Sequence, residues 1–180
     1  MAEYTNDLDL FGVLEAEILT SPHAYARIRS IDISRALSLD GVIAVVTGND
    51  IKGLYGSVVK DRPVLAQGVV RFAGEPVAAV AATSKQIARR AVELIEVLYE
   101  QLKPVLTPEE ALAPTAPLLH ADLMNYEKEI TASAVAGTNI CNHFKIRKGD
   151  VEKGFAESDY VFEDTYEVPR NHHVCLEMYS

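Results

Sequence analysis

The spacing of apolar and polar positions divides the N-terminal part of the chain into short alternating runs around one helical stretch. Residues 12–19 (GVLEAEIL) predict a strand closed by the Ser21-Pro22 break. Residues 23–33 alternate around Tyr25, Ile28 and Ile31, and residues 34–39 predict a short helix before the Asp40-Gly41 turn signal. The run at 42–47 (VIAVVT) predicts a buried strand, because β-branched side chains pack well on a pleated surface. Residues 49–53 open a brief helix or turn, and the following stretch to Arg62, with Gly53, Gly56 and then Pro63, predicts a loop. Two more strands are predicted at 64–72 and 77–82, around Gly74-Glu75-Pro76. The clearest helix spans 84–94. Ser84 suits the N-cap, where its hydroxyl can accept from a free first-turn amide, and Ile87, Ala88, Ala91, Val92 and Ile95 recur at helical spacing. Ile87, Ala91 and Leu94 are expected to face a sheet. Residues 96–100 return to strand character before Pro104. This order predicts an α+β domain with a mixed sheet over about residues 10–105.

The pattern then weakens. Residues 107–116 (TPEEALAPTA) read as a connector, and 118–137 as mostly non-regular chain. Residues 139–146 and 160–168 alternate again, with a short helix expected at 149–154 between them. A boundary in the connector divides the chain into residues 1–110 and 111–180, the second part being too short to complete a domain.

Composition mainly excludes. A net charge of -9 with scattered Lys and Arg argues against nucleic acid, since phosphate binding needs clustered cations. No apolar run approaches the roughly 18–20 residues of a membrane span. The acidic start MAEYTNDLDL lacks the basic and apolar regions of a signal peptide, so a cytoplasmic location is expected. Cys141 and Cys175 form no CxxC pair and are expected to be small buried hydrophobes.

Candidate chemistry is sparse. No phosphate loop, zinc-protease or nucleophile-elbow motif occurs, and Tyr55-Gly56-Ser57 is only a loop glycine. His172 and His173, adjacent on an extended segment, would point to opposite faces and cannot easily share a metal. Asp159, Glu163, Asp164 and Glu167 resemble paired acid/base carboxylates but read better as a solvated strand face. Glu75 reads better as a turn carboxylate bonding nearby backbone than as a site residue. No residue is assigned a catalytic or metal-binding role on these grounds.

Ordered motifs add a resemblance. Ser21-Pro22-His23-Ala24-Tyr25-Ala26-Arg27-Ile28, then Ile31-Asp32 and the run from Asp40 to Val45, are similar to the SPHAxAxI and PGVxAV segments of the xanthine dehydrogenase/aldehyde oxidase (molybdenum hydroxylase) family. The run from Val70 to Val80, VRFAGEPVAAV, resembles the family's VRYxGEPVAAV and is the most specific. Glu96-Val97 through Pro104-Val105, Leu119-His120, Asn139 and the segment from Lys148 to Phe155 follow in the family's order.

The resemblance implies an α/β hammerhead domain followed by the incomplete start of a molybdopterin-binding domain. In the family the complete large subunit carries molybdenum on a pterin cofactor. It oxidises aldehydes, xanthine and other N-heterocycles, or carbon monoxide, with electrons passing to iron–sulfur clusters and usually FAD elsewhere. The glycine-rich pterin segments and the glutamate base lie further along the family's sequence and correspond to no position here. The expectation is therefore a non-catalytic N-terminal portion holding no cofactor itself. Its partners would be the remainder of the subunit and the iron–sulfur and FAD subunits, with homo-oligomerisation through an exposed C-terminal region. A stand-alone binding or assembly module that keeps the hammerhead fold is the alternative. Asn171-His172-His173-Val174-Cys175-Leu176-Glu177 resembles a family segment that approaches the cofactor. The near-molybdenum amide would fall at Asn171, as a neighbour of the metal site and not a ligand, while Glu177 would be structural.

Overall fold

The computed structural model describes residues 11–129, 133–169 and 171. Six of its strands form two three-stranded sheets. In the first, β1 (Glu15–Thr20) and β3 (Val42–Thr47) flank β7 (Pro76–Ala82). In the second, β6 (Val69–Val70) and β8 (Glu96–Gln101) flank β2 (Ala26–Asp32). Consecutive members of this set alternate between the sheets, so strands adjacent in space are distant in sequence.

The α+β class is as expected, but the sheet is not mixed: every pairing among the described strands is antiparallel. Hydrophobic periodicity reports which face of a strand is buried and carries no information on its direction. The predicted loop also contains a small hairpin of β4 (Leu54–Tyr55) and β5 (Arg62–Pro63).

The expected strand at 64–72 shrinks to the two residues of β6. Leu65 and Ala66 are buried, yet the chain bends at Gly68, whose φ of 70° suits glycine. The Gly68 carbonyl accepts from the Ile28 amide at 2.9 Å, and the Ala66 amide donates to the Pro76 carbonyl at 2.7 Å. These buried backbone groups are satisfied across the molecule without a continuous ladder.

One face of the first sheet carries the core. Ala78, Val80 and Ala82 of β7 point to it, with Leu19 opposite Ala78 and Val45 opposite Val80. The helix α2 (Lys85–Glu93) packs on this side, and Val45, Ala78, Val80 and Ala91 meet there with Ala36 of α1 (Ser34–Leu37) and Ile95. Ser84 caps α2 as expected, its hydroxyl accepting from the Ile87 amide at 3.3 Å. Ala88 and Ala91 are the fully buried residues of α2, whereas Ile87 and Leu94 are half-buried. Alanines at the contact let the helix approach the sheet closely.

The other face of the same sheet has no charge. Alternation places Ala16 and Ile18 of β1, Ala44 and Val46 of β3, and Ala79 and Ala81 of β7 on it, in matched rows. Ile43, at the irregularity in β3, is 57% exposed and Ile18 is 51% exposed. The second sheet differs. Its inner side contributes Ala26, Val70, Tyr99 and Ile28 to a second cluster with Val77. Its outer side carries Arg27, Arg29 and Glu100, with Glu100 ion-paired to Arg29.

The connector begins with α3 (Pro108–Leu112), where only irregular chain was expected. Thr107 Oγ1 accepts from the Glu110 amide at 3.2 Å, and Glu110 Oε2 accepts from the Leu106 amide at 2.8 Å. This reciprocal arrangement is close to a capping box, and TPEE carries its signature. Residues 13–144 form one compact unit. The described residues from 145 onward belong to another, with α4 (Val151–Ala156) capped by Asp150 Oδ1 on the Lys153 amide at 3.0 Å. The alternating runs at 139–146 and 160–168 form no strand. A strand exists only with a ladder partner, and Tyr160, Phe162, Tyr166 and Val168 are instead exposed. Among the described residues no helix is long and apolar enough to cross a membrane.

Candidate functional site

The Gly74-Glu75-Pro76 turn is bonded on several sides to the neighbouring chain. The Ser21 amide donates to the Glu75 carbonyl at 2.9 Å, and the Gly74 amide returns a bond to the Ser21 carbonyl at 2.7 Å. Glu75 is 6% exposed. Its Oε2 accepts from the Arg71 amide at 2.5 Å, and the Phe72 amide lies close to the carboxylate. Burial pushes the carboxyl above its ordinary range, while these amides and the Arg71 guanidinium pull the other way. Glu75 is thus the turn carboxylate that the sequence pattern favours.

Arg71 extends the network. Its Nε donates to the Leu119 carbonyl at 2.9 Å, tying the N-terminal strands to the chain beyond the connector. His120 follows, with Nδ1 3.4 Å from the Tyr126 hydroxyl and Nε2 3.8 Å from Asp61 Oδ2. Burial holds the His120 pKa below its ordinary value. The Arg71 charge acts in the same direction, and Asp61 opposes both. A neutral imidazole is the consequence near pH 7.

Asn139 closes the arrangement. Its Oδ1 accepts from the Leu119 amide at 2.9 Å, while Nδ2 donates to the carbonyls of Ala111, at 3.2 Å, and Pro117, at 3.0 Å. One amide side chain therefore ties its own segment to residue 111 and to residues 117–119. Lys128 plays a similar part nearby, its ammonium donating to the carbonyls of Leu123, Met124 and Tyr126 at 2.8, 2.9 and 2.8 Å. Sequence reasoning does not mark Arg71, Asn139 and Lys128 as functional. Their partners are backbone carbonyls and amides, most of them far along the chain, which no local motif announces.

The other sequence candidates are not brought together. Asp159, Glu163, Asp164 and Glu167 are exposed, on chain without regular structure and not on a strand. Asn171 is exposed outside any helix or strand. His172, His173, Cys175 and Glu177 lie outside the described residues. Cys141 is exposed and free, contrary to the buried position expected, because its alternating run has no sheet to join. Gly56 serves a close backbone approach: a Cβ there would lie 1.9 Å from the Val59 carbonyl oxygen.

Among the described residues no group of three or more His, Cys, Asp or Glu could hold a metal ion. A cleft against Gly137, Thr138 and Asn139 encloses about 120 Å³, well below the roughly 300 Å³ at which ligand pockets begin. The Asn139 amide at its edge is already fully engaged. A larger recess of about 320 Å³ between β2 and β3 is lined by Arg29, ion-paired to Glu100, and Asp50, whose carboxylate accepts from the Thr47 amide and hydroxyl. Among the described residues neither cavity gathers more than one basic side chain.

Comparison with known proteins places this geometry. A family model described as aldehyde oxidase and xanthine dehydrogenase, a/b hammerhead domain, matches residues 1–103. One described as a molybdopterin cofactor-binding domain matches residues 133–180. The chain is 41% identical over 177 residues to a probable xanthine dehydrogenase subunit of Bacillus subtilis, covering 97% of this chain and 22% of that protein. It is 37% identical over 183 residues to the carbon monoxide dehydrogenase large chain of Afipia carboxidovorans, covering 97% and 22%. A solved Cu,Mo-CO dehydrogenase in its carbon monoxide reduced state superposes with a TM-score of 0.73 at 36% identity, covering 88% of this chain and 20% of that one. The chain thus spans about a fifth of the length of these relatives. With its alternating antiparallel sheets and its Gly74-Glu75-Pro76 knot, the chain belongs to the aldehyde oxidase and xanthine dehydrogenase family and carries its hammerhead domain.

Proposed function

We propose that this chain supplies the hammerhead domain, residues 1–110, and the opening of a molybdopterin-binding domain, residues 111–180, to the large subunit of a molybdenum-dependent hydroxylase or dehydrogenase. The two family matches, in that order along one chain, carry the reading. The names of relatives support aldehydes, xanthine and related N-heterocycles, or carbon monoxide as the substrate class of the assembled enzyme. A molybdenum–pterin cofactor would supply the redox chemistry there, with iron–sulfur clusters and FAD on other parts. The residues of this chain would frame the cofactor domain and perform no step alone. Asn171 would approach the molybdenum environment, touching groups around the metal and leaving the metal to others. The assembly would work in the cytoplasm, and the exposed region after residue 145 would meet the remainder of the large polypeptide or a second copy.

Metal analysis tests this. The purified 180-residue chain should contain far less than one molybdenum per chain and oxidise neither aldehydes nor purines. When the chain replaces the corresponding span of the B. subtilis relative, the chimera should take up molybdenum. Near-stoichiometric molybdenum in the isolated chain would overturn the reading. In the loaded chimera, Asn171→Ala should lower kcat at unchanged molybdenum content.

A further inference from the structure

We propose that the uncharged face of the β1–β7–β3 sheet is a docking surface for an amphipathic helix from the rest of a longer large-subunit polypeptide, an inference that rests on the proposed function. The strand β7 reads PVAAVAA, apolar toward both sides. An antiparallel strand with one side in water ordinarily alternates apolar and polar residues, and a strand apolar on both sides is the mark of a sheet covered on both. Here α2 covers one side. On the other, Ala16, Ile18, Ala44, Val46, Ala79 and Ala81 are half-buried or exposed, without a charged residue among them. The second sheet shows what a solvated face of this protein looks like, with Arg27, Arg29 and Glu100 on its outer side.

Size selects the occupant. Three strands about 4.8 Å apart and two rows about 6.8 Å apart give a floor of about 200 Å². A stable dimer needs about 800 Å² from each partner, so a second copy is a poor fit. A helix about 10 Å wide, laid across the floor for two to three turns at about 1.5 Å per residue, matches it. Ala79 and Ala81 on the central strand allow close approach, and Ile18 and Val46 on the outer strands would flank the helix. Relatives several times longer than this chain carry sequence to provide it.

Thiol labelling tests the proposal. Ile18→Cys is placed in the isolated chain and in the chimera with the B. subtilis relative, with Leu98→Cys, on the charged sheet face, as control. Peptide mapping separates these thiols from Cys141 and Cys175. The thiol at position 18 should react at least about tenfold more slowly in the chimera than in the isolated chain, while that at position 98 stays fast in both. Equal rates at position 18 would overturn the proposal. Labelling of the isolated chain at position 18 that slows with protein concentration would also overturn it, in favour of a second copy. Molybdenum in the same chimera is read separately. A protected thiol without molybdenum keeps the docking surface and sinks the proposed function, and a loaded chimera with a free thiol does the reverse.

Discussion

At Glu75 one carboxylate satisfies a backbone amide while being held away from water, and the two effects separate in mutants. Removing the acceptor by Glu75→Ala leaves the Arg71 amide unpaired and should cost about 1–3 kcal/mol. Glu75→Gln keeps an acceptor and removes the charge. Because burial raises the folded-state pKa, the wild-type contribution is full below the unfolded carboxyl value of about 4.3 and is lost as pH rises through the folded value. The Gln variant should therefore lose less stability than wild type between pH 4 and neutrality, read as denaturant midpoints across that range. His120 has the opposite sign. Its lowered pKa contributes stability above about pH 6.5, lost as pH falls through the folded value. Asn139→Ala should speed exchange of the Leu119 amide and cost about 1–3 kcal/mol, since three bonds end on one side chain. An unchanged Leu119 rate would show that the clamp is redundant.

Elements differ in how far the sequence announces them. The run at 42–47 becomes β3 with the expected bounds because its β-branched residues are strand formers and two of them, Val45 and Thr47, are buried. The helix α2 is legible from its cap and spacing, whereas α3 goes unannounced by periodicity although Thr107 and Glu110 spell its capping signal. The runs at 139–146 and 160–168 alternate as strands do, yet pairing is a property of two segments and the described chain offers them none. The Gly74-Glu75-Pro76 turn is plain in the sequence, whereas Arg71 and Asn139 stand there only as motif residues and their contacts are not legible, because they bond to distant backbone. Two substitutions probe α2. Ser84→Ala should lower stability by about 1 kcal/mol through the lost cap. Gly41→Ala should cost more, because φ is 85° there and a Cβ would lie 2.6 Å from Ile87 Cδ1. Thermal unfolding of the pair should rank them in that order.

For the whole molecule, stability should be uneven. Val77 and Val80 lie in the core, while Tyr160, Phe162, Tyr166 and Val168 are exposed on chain without regular structure. Hydrogen exchange should find amides of 160–168 far faster than those of 77–80. If the C-terminal region pairs with another copy, protection there should rise with protein concentration. Equal protection in both regions of a monomer would contradict the expectation of a segment completed by other sequence.

The composition of β7 has a consequence for folding itself. With valine and alanine on both sides, sliding this strand by one position would bury nothing polar, so the usual penalty against a slipped pairing is weak. The peg that prevents slippage lies at its start, where Ser21 exchanges backbone bonds with Gly74 and Glu75, and Pro76 accepts from Ala66. Misaligned β1–β7 pairing should therefore be a trap for the refolding chain, and weakening the Glu75 turn should deepen it. Refolding of Glu75→Ala should show a slow phase absent from the wild type, while Ser84→Ala, remote from the peg, should refold in a single phase.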